Sequence, residues 1–385
     1  MRIALLGYGV VGKGIDELLQ NHEQFEIRTI LVRRQNACID QRFTLNFEDI
    51  LSDECIDTVI EVIGGLSPAR EYIIQALNHG KNVITANKAV IAKYYDQFLK
   101  IAKQKQVKLL FEASVAGGIP WIKNLKLAKR LGKVNEINGI MNGTTNYILD
   151  SMKTYHIDFS LALAQAQKLG YAEADPTADL EGIDIRNKIC ISSAIAYDTL
   201  IPIEEIPMEG ISNIIKTDID FANEQNKTIK CMAYAHAYHQ ELSIYVEPTL
   251  LNNEELVAHV QQQYNMVSYH TDASGCMSFY GAGAGSHPTA SAIIQDLYDL
   301  KTSQLPILTN KYSLNNQLKR HHYLIRTLSQ FTPFFESITQ STQFIDNFAY
   351  ITTFKMDVEQ MHTIMKEFKE IDPSCFFAGI KENES

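Results

Sequence analysis

The sequence predicts an α/β protein with a doubly wound parallel sheet, followed by a second α+β domain and a small α+β tail. Over the first 112 residues, short apolar runs alternate with segments of helical periodicity, which is typical of βαβ units. Two of the apolar runs end in glycine, at Gly7 and at Gly64-Gly65. From about residue 113, longer segments separated by glycine-rich turns replace this alternation, which indicates a second domain.

The elements of the first domain follow from hydrophobic spacing. The sequence predicts strands over residues 2–7, 27–32, 58–63, 82–85 and 108–112, and helices over 13–20, 68–78 and 94–104. We therefore expect a first domain over residues 1–115. A helix over 288–302 is expected to return to it.

The second domain is predicted over residues 116–287 and the tail over 318–385. In the second domain, helical spacing covers 162–168 and 185–196, and strand patterns cover 229–237 and 242–246. In the tail, strand patterns cover 322–328, 348–354 and 375–380, and helical spacing covers 358–368. Both segments are therefore expected to be α+β.

Composition excludes several classes of protein. The chain has 385 residues, 45% of them hydrophobic, and a formal net charge of −10, which argues against a nucleic-acid partner. Its six cysteines include no CxxC pair and its histidines no HxxxH pair, so a zinc site is not supported. Neither an apolar run of about 18 residues nor a signal-peptide layout occurs, so we expect a cytoplasmic protein without a membrane segment.

Residues 7–12 read GYGVVG, a GxGxxG pattern at the turn between the first strand and the first helix. Gly7 would permit the tight turn, Gly9 the approach of a pyrophosphate, and Gly12 the packing of helix on strand. Tyr8, Val10 and Val11 would lie beside the cofactor. A plain glycine turn is the alternative, but the position favours a Rossmann domain that binds a dinucleotide.

The second strand predicts which dinucleotide is used. It ends in Arg33-Arg34, without the acidic residue that usually accepts the ribose 2′-OH of NAD. Guanidinium groups suit a 2′-phosphate, so we expect NADP(H), with NAD(H) tolerated. Two solvated surface arginines are the alternative.

The fourth predicted strand ends at Thr85-Ala86-Asn87-Lys88. Ligands of open α/β sheets bind beyond the carboxyl ends of the strands, which places Thr85 and Lys88, like Gly64, at the cofactor crevice. A solvated surface lysine is the alternative interpretation of Lys88.

Seven long motifs go beyond these local patterns. They are GYGVVGKG at 7–14, EVIGG at 61–65, ALNHGKNVITANKAVIA at 76–92, FEASVAGGIP at 111–120, GIMNGTTNYIL at 139–149, LGYAEADPTADLEGIDIRNK at 169–188 and YGAGAGSHPTASAIIQDL at 280–297. With them the chain resembles the homoserine dehydrogenase family across residues 3–300. The resemblance implies NAD(P)-dependent interconversion of L-homoserine and L-aspartate 4-semialdehyde, the branch step toward threonine, isoleucine and methionine.

The resemblance also implies roles for single residues. Lys188 matches the acid/base lysine, and burial or a second cation such as Lys88 would lower its pKa enough for reaction in both directions. Glu173 and Asp184 match the groups that hold the polar end of the substrate, with Asp179 and Gly170 beside them. Because Asp184 and Lys188 are four residues apart, a surface ion pair on a helix is the alternative. The chain departs from many relatives at Ala178, where they carry an acidic residue.

Two glycine-containing segments resemble further parts of the family's site. Glu112, Val115, Gly117 and Ile119 match a loop whose backbone carbonyls hold a monovalent cation, sodium or potassium, and an interdomain hinge is the alternative. Gly283 and Gly285 resemble a second glycine loop that covers the nicotinamide half of the cofactor. An ordinary flexible turn is the alternative there.

The tail resembles a reduced ACT domain, a βαββαβ regulatory fold. Its first loop, QFTPF at 330–334, lacks the acidic residue and the glycine of an effector loop. We therefore expect a packing or dimerisation role, in a homodimer or homotetramer, and weak or absent inhibition by threonine. Two other functions remain as alternatives: a non-catalytic NADP sensor, and a dehydrogenase for a related short amino alcohol.

Overall fold

The structure, a computed structural model, describes residues 1–20, 22–33 and 40–382. The chain divides into two compact units. Unit 1 comprises residues 1–127, 194–200 and 281–309, and unit 2 comprises residues 128–193, 201–280 and 310–385. The predicted boundaries differ, since they separate residues 318–385 from the second domain, and an independent tail domain stays a prediction.

Unit 1 contains a six-stranded parallel sheet. Its elements are β1 (Arg2–Leu6), α1 (Val10–Leu19), β2 (Glu26–Leu31), β3 (Phe43–Thr44), α2 (Glu48–Leu51), β4 (Thr58–Glu61), α3 (Ala69–Asn78), β5 (Asn82–Thr85), α4 (Lys88–Lys105) and β6 (Leu109–Leu110). The strand order is β3-β2-β1-β4-β5-β6, which is the doubly wound order with its switch point between β1 and β4. This confirms the predicted fold class of the first domain.

The core of unit 1 lies between this sheet and its helices. Ile3 and Leu5 of β1 pack in one buried cluster with Ile15 of α1 and with Ile293 and Leu297, which come from much later in the chain. The two late residues belong to a helix at Ser286–Asp299, so this helix shares the core of the first domain.

The remaining elements follow in chain order. They are α5 (Trp121–Leu131), β7 (Val134–Ile140), α6 (Gly143–Tyr155), α7 (Phe159–Lys168), α8 (Thr177–Leu180), α9 (Ile183–Tyr197), α10 (Lys216–Glu224), β8 (Lys227–Tyr238), β9 (Glu241–Asn252), β10 (Tyr264–Thr271), β11 (Gly275–Ala282), α11 (Ser286–Asp299), β12 (Ser313–Leu314), β13 (Arg320–Leu328), β14 (Thr339–Ile345), β15 (Phe348–Thr353), β16 (Met356–Asp357), α12 (Val358–Phe368) and β17 (Phe376–Ile380). Short 3-10 helices lie at Glu112–Ser114, Ile203–Glu205, Leu256–His259 and Ser329–Ile338.

Unit 2 is built on one mixed sheet of eleven strands. Its main path is β11-β10-β7-β8-β9-β17-β13-β15-β14, so tail strands continue the sheet of the second domain. The connection is the parallel pairing of β17 with β9, at Gly379 opposite Thr249 and Ile380 opposite Leu250. In the tail, a strand, a 3-10 helix, three strands, a helix and a strand follow one another, and the ACT-like assignment stays a prediction.

Two sequence expectations differ from the structure. Lys88 was expected at the end of a strand, but it begins α4, because the side chain of Asn87 accepts a hydrogen bond from Val90 N and caps the helix six residues before the predicted start. The elements that were not predicted are β3, α2, α5, β7, α6, α8, α10, β10, β11, β12, β14 and β16. Within residues 1–20, 22–33 and 40–382, no helix is long and apolar enough to cross a membrane.

Candidate active site

A large cavity opens at the carboxyl ends of the first strands of unit 1. It has a volume of about 1370 Å³ and is lined by the loop after β1, the end of β2 and the start of β3. Four of the predicted cofactor residues line it: Gly7, Tyr8, Gly9 and Arg33. The N-terminus of α1 carries no acidic residue in its first turn and no side-chain cap, so its N–H groups can serve an anion. The site therefore fits a dinucleotide.

The three glycines of the loop have different roles. Gly7 has φ +103°, a conformation that favours glycine, and a Cβ on Gly12 would lie 2.3 Å from the carbonyl oxygen of Gly7. A Cβ on Gly9 would meet nothing within 4 Å. Gly12 therefore serves helix packing, as predicted. At Gly9, no protein atom would collide with a side chain. Of their neighbours, Val10 is exposed and Val11 is half-buried.

An arginine that sequence analysis missed lies in the same cavity. Arg42 donates to Asp16 on α1 at 2.7 and 2.9 Å and to Asp40 at 2.6–3.1 Å. Tyr8 donates to Asp16 as well, at 2.6 Å. Burial alone would raise the pKa of Asp16, but the hydrogen bonds from Arg42 and Tyr8 lower it. Arg34 lies outside the described residues, so Arg33 and Arg42 are the cationic arginines that line the described cavity.

The ends of β4 and β5 are joined by buried polar contacts. Glu61 accepts hydrogen bonds from Ile63 N, from Gly64 N and from the hydroxyl of Thr85 at 2.6 Å. Burial nonetheless raises the pKa of Glu61. Thr85 is fully buried, and its hydroxyl also accepts from Asn87 N. The side chain of Thr85 therefore shapes the loop that precedes Lys88, which is half-buried at the start of α4.

In unit 2, Lys188 lies in a buried polar network. Its ammonium donates to Asp184 Oδ2 at 2.7 Å and to the carbonyl of Met141 at 2.6 Å. The amide of Asn142 donates to the same Asp184 oxygen at 2.8 Å and to Asp179 at 2.7 Å. Lys188 and Asp184 are 7% and 3% exposed, so they are no surface ion pair.

Asn142 owes its position to the helix it begins. Its side-chain oxygen accepts from Thr145 N at 2.8 Å and caps α6, which directs the amide nitrogen to the two carboxylates. Sequence analysis quoted Asn142 within a motif but gave it no role. Its N-cap position before a helical segment was the available signal.

The segment between α7 and α8 carries the other predicted substrate residues. Glu173 is exposed, and Gly170 ends α7 with φ +78°. Asp175 accepts from Thr177 N and from its hydroxyl, which closes the turn into α8. Asp184 contacts Lys188 directly, and Asn142 links Asp179 to the same oxygen of Asp184. The described contacts do not join Glu173 or Gly170 to this network. Ala178 is exposed in α8.

The predicted cation loop is a buried segment of unit 1. Ala116 and Gly117 have φ +59° and +51°, and a Cβ on Gly117 would lie 2.5 Å from the carbonyl oxygen of Gly283. The carbonyls of Glu112 and Ile119 each accept one backbone N–H, from Val115 and Trp121, which leaves each a second lone pair. The carbonyls present therefore fit a hard cation. No group of three or more His, Cys, Asp or Glu in the described parts of the chain is arranged to bind a metal ion.

The side chain of Glu112 has a structural role. Its two oxygens accept from Ile122 N and Lys123 N at 2.9 Å, at the start of α5. Its own N–H donates to Asp296 at 2.9 Å. Burial raises the pKa of Glu112 to about 7, and burial together with the charge of Glu112 raises the pKa of Asp296 to about 8.

The second predicted glycine loop precedes α11. Gly285 has φ +121° and lies at the N-terminus of this helix, and Ser286 donates to the carbonyl of Val10 at 2.8 Å. Within unit 1, the loop of Gly283 and Gly285 therefore touches both the first glycine loop, at Val10, and the predicted cation loop, at Gly117.

Comparison with known proteins gives a consistent result. Two family models match, "Homoserine dehydrogenase, NAD binding domain" at residues 7–112 and "Homoserine dehydrogenase" at residues 120–298. The homoserine dehydrogenase of Synechocystis sp. is 40% identical over 78% of this chain and 73% of its own, and that of Bacillus subtilis is 35% identical over 81% and 76%. A crystal structure of a homoserine dehydrogenase from Thiobacillus denitrificans superposes with a TM-score of 0.88 at 31% identity, over 99% of this chain and 98% of that one.

Proposed function

This chain belongs to the homoserine dehydrogenase family of NAD(P)-dependent oxidoreductases, and we propose that it interconverts L-aspartate 4-semialdehyde and L-homoserine with Lys188 as the acid/base. The bound nicotinamide supplies the hydride for reduction and accepts it in the reverse direction. Addition of hydride to the aldehyde carbon leaves an alkoxide oxygen, which must receive a proton. Lys188 donates that proton and recovers it when the alcohol is oxidised.

The observation that carries this proposal is the buried contact of Lys188 with Asp184. A charged ammonium is costly to bury without partners, and Asp184 together with the carbonyl of Met141 supplies them. These two hydrogen bonds hold the ammonium in place, and from there it donates to the substrate oxygen. Asp184 and Asn142 thus orient the ammonium, and Asp184 acts both on the lysine and on the polar end of the substrate.

We assign the substrate ammonium to carboxylates of the same unit. Glu173 is exposed and ready for a ligand, and Asp179 is held by the amide of Asn142. A carboxylate is the strong partner for an ammonium because the hydrogen bonds are charge-assisted. Gly170, with its left-handed backbone, allows the turn that leads to Glu173.

For the cofactor we propose NADP(H) in preference to NAD(H). Arg33 lines the cavity and is exposed, and Arg42 lines it with its guanidinium turned to Asp16 and Asp40. Both suit the dianionic 2′-phosphate. Asp40 is an acidic residue in the same cavity, and its contact with Arg42 offsets the charge that would otherwise oppose the phosphate.

Three further assignments belong to this proposal. Lys88 acts as the second catalytic lysine. A sodium or potassium ion is held by the carbonyls of Glu112, Val115, Gly117 and Ile119. The protein is a homodimer or homotetramer, and the edge strand β11 carries exposed apolar side chains that suit self-association. Light scattering tests the last assignment, and rates in sodium, potassium and tetramethylammonium salts test the cation.

The decisive experiment follows NADPH absorbance with L-aspartate 4-semialdehyde for the wild type and for Lys188→Ala. We expect turnover in the wild type and a fall in kcat of about 10²–10⁴-fold in the variant, with NADPH binding retained. Wild-type protein that binds NADPH without turnover would contradict the function. A variant with wild-type kcat would contradict only the assignment of Lys188.

A further inference from the structure

A second cavity, apart from the residues assigned to the reaction, lies within unit 2. It has a volume of about 260 Å³ and is lined by β7, β8 and β9, by the start of β13 and by the residues around the end of β17. It therefore forms where strands of the tail join the sheet of the second domain. Drug-sized ligands occupy cavities of about 300–1000 Å³, so this one suits a smaller molecule.

One side of the cavity is aromatic. The rings of Tyr234 and Tyr245 are stacked with their centroids 5.0 Å apart, and both side chains are buried. They present apolar surface, while the hydroxyl of Tyr245 lies 3.4 Å from His236 Nε2. This wall suits the side chain of a small amphipathic ligand.

The buried carboxylate of Glu247, which lines the cavity, already has protein partners. Glu247 is fully buried, and its two oxygens contact His321 Nε2 at 2.9 Å and His362 Nε2 at 3.0 Å. A Cβ on Gly379 would lie 2.3 Å from Glu247 Oε1, so a glycine is needed beside this cluster. We therefore regard Glu247 and its two histidines as structural.

The carboxylate of Glu136, on β7, can accept further hydrogen bonds beside those it already has. One of its oxygens accepts from Asn138 at 2.6 Å, and the other lies 3.4 Å from His236 Nδ1. Burial would raise the pKa of Glu136, but the contacts with His236 and Asn138 and the charge of Lys319 together outweigh burial and lower that pKa to about 2. The carboxylate is therefore negatively charged at neutral pH and can accept further hydrogen bonds.

Lys319 is the complementary group. It lines the same cavity, and its side chain makes no hydrogen bond or ion pair with any residue that the structure describes. The two neighbouring cations differ, since Lys381 is paired with Glu255 at 2.7 Å and Arg320 donates to the carbonyl of Lys355 at 2.9 Å. Opposite charges at Glu136 and Lys319 thus line one small cavity without forming an ion pair within 4 Å.

We propose that this cavity binds a small zwitterion of the α-amino acid class. Its ammonium contacts Glu136, its carboxylate contacts Lys319, and its side chain lies on Tyr234 and Tyr245. Each charge of such a ligand meets a protein charge of the opposite sign, and these charge-assisted hydrogen bonds are stronger than neutral ones. The ligand would also link β7 with the start of β13, and so connect the second domain with the tail.

The test measures binding of the twenty common L-amino acids to the full chain by saturation-transfer NMR, followed by calorimetry of those that bind. We expect at least one to bind the wild type, with a Kd that rises about tenfold or more in Glu136→Gln and in Lys319→Met, because a hydrogen bond to a charged group is lost in each. The N-acetyl derivative and the methyl ester of that amino acid should bind more weakly than the parent.

Lys301→Met is the control, since it removes the same kind of charge from an exposed lysine of unit 1, and we expect the wild-type Kd there. Turnover of all three variants at the wild-type rate would show that they are folded. The proposal is wrong if no amino acid binds, or if every Kd is unchanged in both cavity variants. An amino acid that binds at the active site would leave every Kd unchanged in both cavity variants.

Discussion

The ammonium of Lys188 lies 2.7 Å from Asp184 Oδ2, one helical turn earlier on α9, and both side chains are buried. The same oxygen accepts the amide of Asn142 at 2.8 Å. The carboxylate that the family resemblance assigns to the substrate is therefore first a partner of the lysine. The geometry of the lysine therefore depends on Asn142 as well as on Asp184.

Substitutions of Asn142 should lower both activity and stability. Asn142→Ala removes the cap of α6 and both hydrogen bonds to carboxylates, so we expect a loss of about 1–3 kcal/mol in unfolding free energy and a lower kcat. Asn142→Asp keeps a capping oxygen but sets a third carboxylate beside Asp179 and Asp184. We expect it to lose activity and at least as much stability as Asn142→Ala, because buried like charges repel one another. Chemical denaturation and steady-state kinetics measure the two effects, and an Asn142→Asp variant with wild-type kcat would refute the role of the amide.

The arginines of the cofactor cavity should determine the preference between cofactors. Arg33→Ala is expected to lower kcat/KM for NADPH by about tenfold or more while leaving that for NADH nearly unchanged, because NADH lacks the 2′-phosphate. Arg42→Ala should have a larger effect, since Asp16 and Asp40 would lose their partner and repel the phosphate.

Arg28→Ala is the control for these two variants. Arg28 lies on the same strand β2, is paired with Asp53 and does not line the cavity, so its loss should leave the ratio of the two kcat/KM values unchanged. An equal loss for NADPH and NADH in Arg33→Ala and Arg42→Ala would argue for a general role in binding, against selection of the phosphate.

Two glycines with left-handed backbones should respond differently to the same substitution. Gly117 and Gly170 have φ +51° and +78°, but a Cβ would lie 2.5 Å from Gly283 O at Gly117 and would meet nothing within 4 Å at Gly170. Gly170→Ala should therefore cost about 1–2 kcal/mol from backbone strain alone. Gly117→Ala should cost about 1–3 kcal/mol more, because two backbone segments must separate. Thermal unfolding of both variants measures the difference, and equal losses would contradict the close approach of Gly283.

Local patterns in the sequence were sufficient for much of this molecule. The alternation of β1, α1, β2 and β4 predicted the parallel sheet, because strands buried on both faces are continuous apolar runs that periodicity detects. The spacing of Asp184 and Lys188 likewise predicted one helical face. Both predictions depend only on residues that lie close together in the chain, and such patterns can be found in the sequence.

Contacts between residues far apart in the chain could not be predicted from the sequence. Arg42 meets Asp16 across 26 positions, and Asn142 meets Asp179 and Asp184 across 37 and 42. No periodicity records such contacts, since they arise only when the sheet and the helices have packed. The start of α4 was missed for a local reason, because the cap at Asn87 outweighed the weak apolar spacing that follows it.

The buried carboxyl pair Glu112–Asp296 should make unit 1 less stable as the pH rises. The pKa values of the folded protein are raised, to about 7 for Glu112 and about 8 for Asp296, above ordinary values of 4.5 and 3.8. Between the ordinary and the raised values the folded state binds more protons than the unfolded state, so the stability present below about pH 4 is lost progressively up to about pH 8.

Asp296→Asn keeps an oxygen for Glu112 N and removes one of the two charges. We expect its thermal midpoint to fall less between about pH 5 and pH 9 than that of the wild type. Asp299→Asn, on the same helix but paired with Lys123 at 3.0 Å, removes a charge that contributes least to the raised pKa of Asp296 and should keep most of the wild-type fall. If Asp296→Asn and Asp299→Asn showed the same pH dependence, the raised pKa of Asp296 would be ruled out as its cause.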